Sequence, residues 1–280
     1  MDDEEAEAGS RLDDDRFGGQ GYQHGAMRYL DASWQAVPGS TGTRAGTLDP
    51  AVLSGVVRDL AGSLTALLTS TGLLALDLEE PSPHQQRVVQ SMQAQGLMLQ
   101  NRCENLLCAA SIWEGSFAIR PRLVELGAII AEVIPVVRPL LAAKGQHVEA
   151  VIHEAGHYVS FDPRRLAQLL INLLLNAHQQ SPVGSIIGIR VEPRALNLRV
   201  SVADRGPGIP NETIPGHFEL FYPSLVAGRF ASLPLGLPIV RAIVEAHGAR
   251  LGARNRRGGG ARVWFETPQR DADGSGRNCS

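Results

Sequence analysis

From residue 50 onward the apolar positions recur at alternating intervals of four and three. Leu53, Val57, Leu60, Leu64, Leu67, Thr71, Leu74 and Leu78 form one such series. That period is a heptad seam on a helix and not the alternation of a strand. Asp49-Pro50 supplies the start, a capping carboxylate followed by proline in the first turn. Glu79-Glu80-Pro81-Ser82-Pro83 breaks the pattern, and a second seam follows through Val89, Met92, Gly96, Leu99, Cys103, Leu106, Ala110 and Trp113. Two such helices with a short connection predict an antiparallel hairpin. A lone hairpin has too little partner surface for both seams, so a homodimer forming a four-helix bundle is expected, unless the seams pack on the chain's own second half.

After Glu114-Gly115-Ser116 the periodicity changes. The sequence predicts a helix over 121–143, irregular at Pro135 and Pro139, and a strand over 147–152. Asp162-Pro163 opens a helix carrying Leu166, Leu169, Leu170, Leu173, Leu174 and Ala177. Strand-like runs cover 186–191 and 196–202, a Gly/Pro-rich loop covers about 205–235, and a helix runs from Leu237 to His247 with Gly248 as its C-cap. Two further strand-like runs lie around Leu251 and Val263, joined by Gly258-Gly259-Gly260. The resulting division is an acidic, largely disordered tail at 1–48, a helical hairpin at 49–114, an α+β domain at 115–268 and a frayed tail at 269–280.

Composition narrows the function. The 280 residues hold 26 bases against 29 acids, and aromatic residues make up 5%. Neither a general basic field nor a base-stacking platform is available, which argues against a nucleic-acid partner. No run of 18 uncharged apolar residues occurs, and MDDEEAEAGS is not a signal peptide, so no membrane is expected and the cytoplasm is the predicted location. Cys103, Cys108 and Cys279 make neither a disulfide framework nor a zinc pair.

Three features of the second half carry chemistry. Asn172 and Asn176, at i and i+4, share one face of a leucine-rich helix, where their amides require partners. Amide oxygens suit a hard cation such as Mg²⁺, and interhelical hydrogen bonds are the structural alternative. Asp204 follows a strand and precedes Gly206 and Gly208, an arrangement in which a carboxylate can accept from an exocyclic amine beside a backbone free of Cβ atoms. A plain turn is the alternative there. Gly236 begins a helix whose N-terminus is an anion site, or simple punctuation.

Taken in order, the three resemble the ATP-binding domain of the histidine kinase, gyrase, Hsp90 and MutL superfamily (GHKL), and the histidine kinases above all. FDPRRLAQLLINLLLNAHQQS resembles the family's N box, VADRGPGIP its G1 box, FELFYPS its F box and LGLPIVRAIVEAHG its G2 box. The hairpin resembles the dimerisation and phosphotransfer domain. The resemblance implies a dimeric four-helix bundle followed by a GHKL α/β sandwich. It implies an ATP and Mg²⁺ cofactor pair, with Asn176 on Mg²⁺, Asn172 supporting it, Asp204 on the adenine amine, Gly206 and Gly208 shaping that pocket, and Gly236 near the phosphates under a lid over about 211–235. The implied partners are a second copy, and a response regulator or partner histidine kinase.

Two departures stand out. The family's phosphotransfer helix carries a motif like HDLNNPLTAI, and here the stretch reads RDLAGSLTAL. Arg58 stands in the acceptor histidine's place, Asp59 keeps the neighbouring acid, and Gly62 replaces the amide or hydroxyl residue linked to dephosphorylation. The G2 pattern GxGLGL reads Ser232-Leu233-Pro234-Leu235-Gly236-Leu237, with two glycines gone. The expectation is a signalling protein of histidine-kinase type that binds nucleotide but is degenerate as an autokinase. The alternative is a non-catalytic module acting on a true kinase or a response regulator. The stretch His153-Glu154-Ala155-Gly156-His157 matches HExxH, but it follows a strand and contains glycine, so a turn is expected in place of a zinc helix.

Overall fold

The structure is a computed structural model that describes residues 50–77, 82–152, 156–209, 218 and 235–274. The acidic segment 1–48, the first connection at 78–81, most of the lid and the last six residues lie outside the described residues.

Two long helices come first, α1 (Pro50–Asp77) and α2 (Pro83–Trp113). Ser82 starts α2 with a capping box: its hydroxyl accepts from the Gln85 N–H at 3.3 Å while the Gln85 side chain accepts from the Ser82 N–H at 2.8 Å. The two helices meet where Gly96 faces Leu68, and a Cβ at 96 would collide with that leucine. Within the chain each seam divides in two. Val57 and Thr71 on α1, and Val89, Gly96, Cys103 and Ala110 on α2, are buried. Their seam partners Leu60 (54%), Leu67 (64%), Met92 (49%) and Leu99 (44%) remain exposed.

The rest is a seven-stranded mixed sheet covered on one face by helices. Its elements are β1 (Arg122–Glu125), α3 (Leu126–Ala143), β2 (His147–Ile152), β3 (Tyr158–Phe161), α4 (Pro163–Gln180), β4 (Ile186–Arg194), β5 (Asn197–Ala203), α5 (Gly236–Ala246), β6 (Arg250–Asn255) and β7 (Ala261–Arg270). The strand order is β1-β3-β7-β5-β4-β2, with β6 also pairing with β7. Among the described strands, only β2 and β4 pair in parallel. Inward positions of the central strands, Ile187, Ile189 and Val191, Leu198, Val200 and Val202, Val263 and Phe265, meet the leucines of α4 and the Ile239, Val240, Ile243 and Val244 face of α5.

Residues 122–125 depart from the expected helix over 121–143. They pair antiparallel with β3, and Glu125 caps α3 by accepting from the Gly127 and Ala128 N–H groups at 3.0 and 2.6 Å. Pro135 and Pro139 are accommodated within α3. Among the described helices, only Leu126–Ala143 is long and apolar enough to cross a membrane, and its Ile130, Val133, Val137 and Leu141 row is packed into the core. The C-terminal end of α4 is held by Lys144, the only lysine in the chain, which donates to the carbonyls of His178 (3.1 Å) and Ser181 (2.7 Å). Gln146 adds a bond to each of those two carbonyls.

Candidate nucleotide site

The site begins at the ends of α4. Asp162 caps its first turn, accepting from the Arg164 and Arg165 N–H groups through Oδ1 and from Arg120 N–H through Oδ2. Burial raises its pKa, but these bonds outweigh burial and hold it below the usual aspartate value. The Asp162 N–H donates to His247 Nε2 at 3.0 Å. His247 Nδ1 lies 2.7 Å from the Ile243 carbonyl, and its ring stacks on Phe161 at 3.6 Å. A carbonyl only accepts and a backbone N–H only donates, so His247 is neutral with its proton on Nδ1. Thus α4, β3 and α5 are fixed to one another at this end.

At the other end Asp204 leaves β5 almost fully buried, at 5% exposure. Its Oδ1 accepts from the Gly206 N–H (2.8 Å) and the Ala261 N–H (3.0 Å). Its main chain is held as well, by N–H donation to the Ala261 carbonyl at 2.9 Å and by Arg256 Nη1 on its carbonyl at 2.6 Å. Oδ2 makes no hydrogen bond to a described residue. A rigidly held carboxylate with one oxygen left over is equipped to accept from a ligand amine.

The glycines around Asp204 make room for the protein's own backbone. A Cβ at Gly206 would lie 2.6 Å from the Gln180 carbonyl at the end of α4. Gly208, at φ +86°, would meet Asn255 Oδ1 at 2.8 Å. That side chain closes a two-way bond with Ile209, accepting from its N–H and donating to its carbonyl, both at 2.7 Å. Gly260, also at φ +86°, packs directly on the Asp204 carbonyl. Asn255, Arg256 and Gly260 are site residues that the sequence did not reveal. Read alone, RNRRGG is a turn with solvated arginines, and nothing local in it shows that Arg256 reaches back 52 positions.

The two asparagines have different surroundings. Asn172 is 2% exposed and tied to α2: its Oδ1 accepts from Asn101 Nδ2 (3.0 Å) and Asn105 Nδ2 (2.7 Å), and its Nδ2 donates to Asn105 Oδ1 (3.0 Å). With both lone pairs of Oδ1 occupied, Asn172 has no acceptor to offer a cation in this arrangement. Asn176, one turn on, is half-buried and bonded to none of the described residues, which suits a cation ligand. Gly236 is the first residue of α5, and a Cβ there would touch Asn172 Oδ1 at 3.4 Å. Among the described residues no side chain caps this helix, an arrangement that suits an anion at its first N–H groups.

Other sequence candidates lie apart from this cluster. Arg58 and Asp59 are exposed on α1. Ser232, Leu233, Pro234 and His217 fall outside the described residues, although Phe218 is buried in the core. His153 and Glu154 also fall outside. His157 is buried just before β3, its carbonyl bonded to the Leu126 N–H, and among the described residues no group of three His, Cys, Asp or Glu could hold a metal. Burial raises the Cys108 thiol to about 11, against the opposing charge of Arg165, so it is an inert core residue.

The fold and this constellation define a nucleotide-site class. Residues 161–271 match the family described as Histidine kinase-, DNA gyrase B-, and HSP90-like ATPase. Within that class, the chain belongs to the sensor histidine kinase family. It is 31% identical over 227 residues to the sensor protein KdpD of Escherichia coli, covering 79% of this chain and 24% of that protein. It is 32% identical over 228 residues to the sensor protein SphS of Synechococcus elongatus, covering 76% of this chain and 54% of that one. The chain therefore spans between a quarter and about half of these relatives. The crystal structure of full-length ShkA in complex with AMPPNP shares the fold, with a TM-score of 0.56 and 23% identity over 80% of this chain and 47% of that chain.

Proposed function

We propose that this protein binds ATP with Mg²⁺ as a two-component signalling protein of histidine-kinase type and is silent as an autokinase. The observation that carries the nucleotide reading is Asp204: buried, fixed through Oδ1 and both main-chain polar atoms, with Oδ2 unpaired among the described residues. Adenine would donate its amine to Oδ2. Asn176 would hold Mg²⁺, and the open N–H groups of α5 beginning at Gly236 would face the phosphates. Bound Mg²⁺ would neutralise phosphate charge.

The hairpin supports a dimer. One heptad position is buried inside each chain, and the other presents Leu60, Leu67, Met92 and Leu99 to solvent. A second copy with the same exposed row would cover them in a four-helix bundle. In such a bundle an imidazole at position 58 would attack the γ-phosphorus, form an N–P bond and release ADP. The guanidinium of Arg58 stays protonated and offers no nucleophile, and Asp59 beside it has no proton to take. Incubation with γ-labelled ATP tests this. The wild-type chain is expected to form no acid-labile phosphohistidine in the hairpin, and robust label on a histidine there overturns the reading. Arg58→His is expected to stay unlabelled while still binding nucleotide, because Pro234 replaces a glycine of the phosphate-facing pattern. The exposed Arg58 equally favours a non-catalytic module that modulates a response regulator or a true kinase, and either partner would be engaged without phosphate transfer from this chain.

A further inference from the structure

A buried chain of amides joins the hairpin to the nucleotide site. Asn105 of α2, 3% exposed, makes a reciprocal pair with Asn172: Nδ2 donates to Asn172 Oδ1 at 2.7 Å and Oδ1 accepts from Asn172 Nδ2 at 3.0 Å. Asn105 Oδ1 also accepts from Gln168 Nε2 at 3.2 Å, and Gln168 Oε1 accepts from Arg165 Nη1 at 2.9 Å. Arg165 in turn lies over the Phe117 ring at 4.7 Å and 3.7 Å from Cys108 Sγ. Asn101 adds a second donor to Asn172, and its own Oδ1 is buried without a partner among the described residues. Flipping the amide of Asn172 or Asn105 would set donor against donor, so the network admits one orientation of each.

Four such amides between apolar helices are costly unless nearly every polar atom is paired, and hydrophobic residues would join α2 to α4 more cheaply. What the amides add is orientation. Asn172 Oδ1 lies directly beneath the first residue of α5: a Cβ at Gly236 would stand 3.4 Å from it, in van der Waals contact. We propose that Asn105 is a positioning residue of the nucleotide site: from the hairpin it sets the Asn172 amide, which supports the phosphate-facing start of α5. The inference rests on the nucleotide reading above. It makes the hairpin part of that site, so that nucleotide and hairpin report on each other by linkage.

The test uses the full chain and ADP with Mg²⁺. Asn105→Leu removes three hydrogen bonds and is expected to weaken Mg²⁺-ADP binding about tenfold. Because Asn105 acts through Asn172, the double variant with Asn172→Leu should bind no more weakly than Asn172→Leu alone. In wild type, binding should change hydrogen exchange at α2 residues 101–109, a readout that a merely structural bond would not move and that holds even if a variant fails to fold. Binding within twofold of wild type in Asn105→Leu, additive penalties, or unchanged exchange in α2 each overturns the proposal. If wild-type binding is lost in Asp204→Ala but indifferent to Asn105→Leu, the positioning role falls and the nucleotide reading stands. No binding by wild type removes both.

Discussion

His247 shows how one side chain can hold three elements. It accepts from the Asp162 N–H, donates to the Ile243 carbonyl and stacks on Phe161, and the first of these contacts requires the neutral ring. Burial pushes its pKa below the ordinary histidine value and Arg165 adds to that, while the Ile243 carbonyl and Asp162 oppose it. His178 is lowered in the same direction, by burial and then by Lys144. The unfolded chain therefore binds more protons than the folded one near pH 6. The stability these rings contribute is present above about pH 6.5 and is lost as pH falls towards their depressed folded values. Thermal unfolding at pH 7.5 and 5.5 should show a lower Tm at pH 5.5, and His247→Gln should flatten that difference. A Tm that rises on acidification would contradict the neutral assignment. The same scale shows the limits of the sequence. Asp204 and the asparagines are legible because their residue types are unusual in apolar surroundings. Arg256, Asn255 and Gly260 are not, because what matters about them is contact across some 50 positions of chain. Asn172 is legible as a residue needing partners, but the partners lie on another domain's helix, 67 and 71 positions away.

At the scale of elements, α1 is weakly made. Its interior holds Gly62 and Gly72, and the hydroxyls of Ser63, Thr65, Thr69, Ser70 and Thr71 all donate back to the carbonyl four residues earlier. Such a helix depends on packing more than on propensity. A Cβ at Gly62 meets nothing within 4 Å, so Gly62→Ala is expected to stabilise the protein by about 0.5–1 kcal/mol, measured by denaturant unfolding. The exposed half of each seam makes a separate prediction. Leu60→Arg combined with Leu67→Glu should convert a dimer to a monomer in analytical ultracentrifugation at micromolar concentration, with the α/β domain still folded. A wild-type chain that sediments as a monomer would remove the bundle. The heptads were readable because α1 and α2 repeat over many turns. β1 was not, because four residues, RLVE, carry too little pattern to separate a strand from the first turn of the apolar helix after it. What decides there is pairing with β3 and the Glu125 cap.

At the scale of the whole molecule, the protein combines a sheet-and-helix nucleotide domain of the sensor histidine kinase family with a hairpin that has Arg58 where an acceptor is expected. On the proposed reading, a fixed Asp204, a half-buried Asn176 and an α5 start with no side-chain cap among the described residues would hold the nucleotide, while Arg58 would leave the hairpin without a phosphate acceptor. Binding without transfer is the central claim, and it stands first on binding. The most direct measurement is isothermal titration of the full chain with ATP and Mg²⁺, wild type beside Asp204→Ala. The expected result is saturable binding of one nucleotide per chain by wild type, weakened at least about tenfold by Asp204→Ala, as loss of a buried hydrogen bond to a charged group requires. No heat of binding from a folded wild-type chain, or equal affinity in the two proteins, would contradict it.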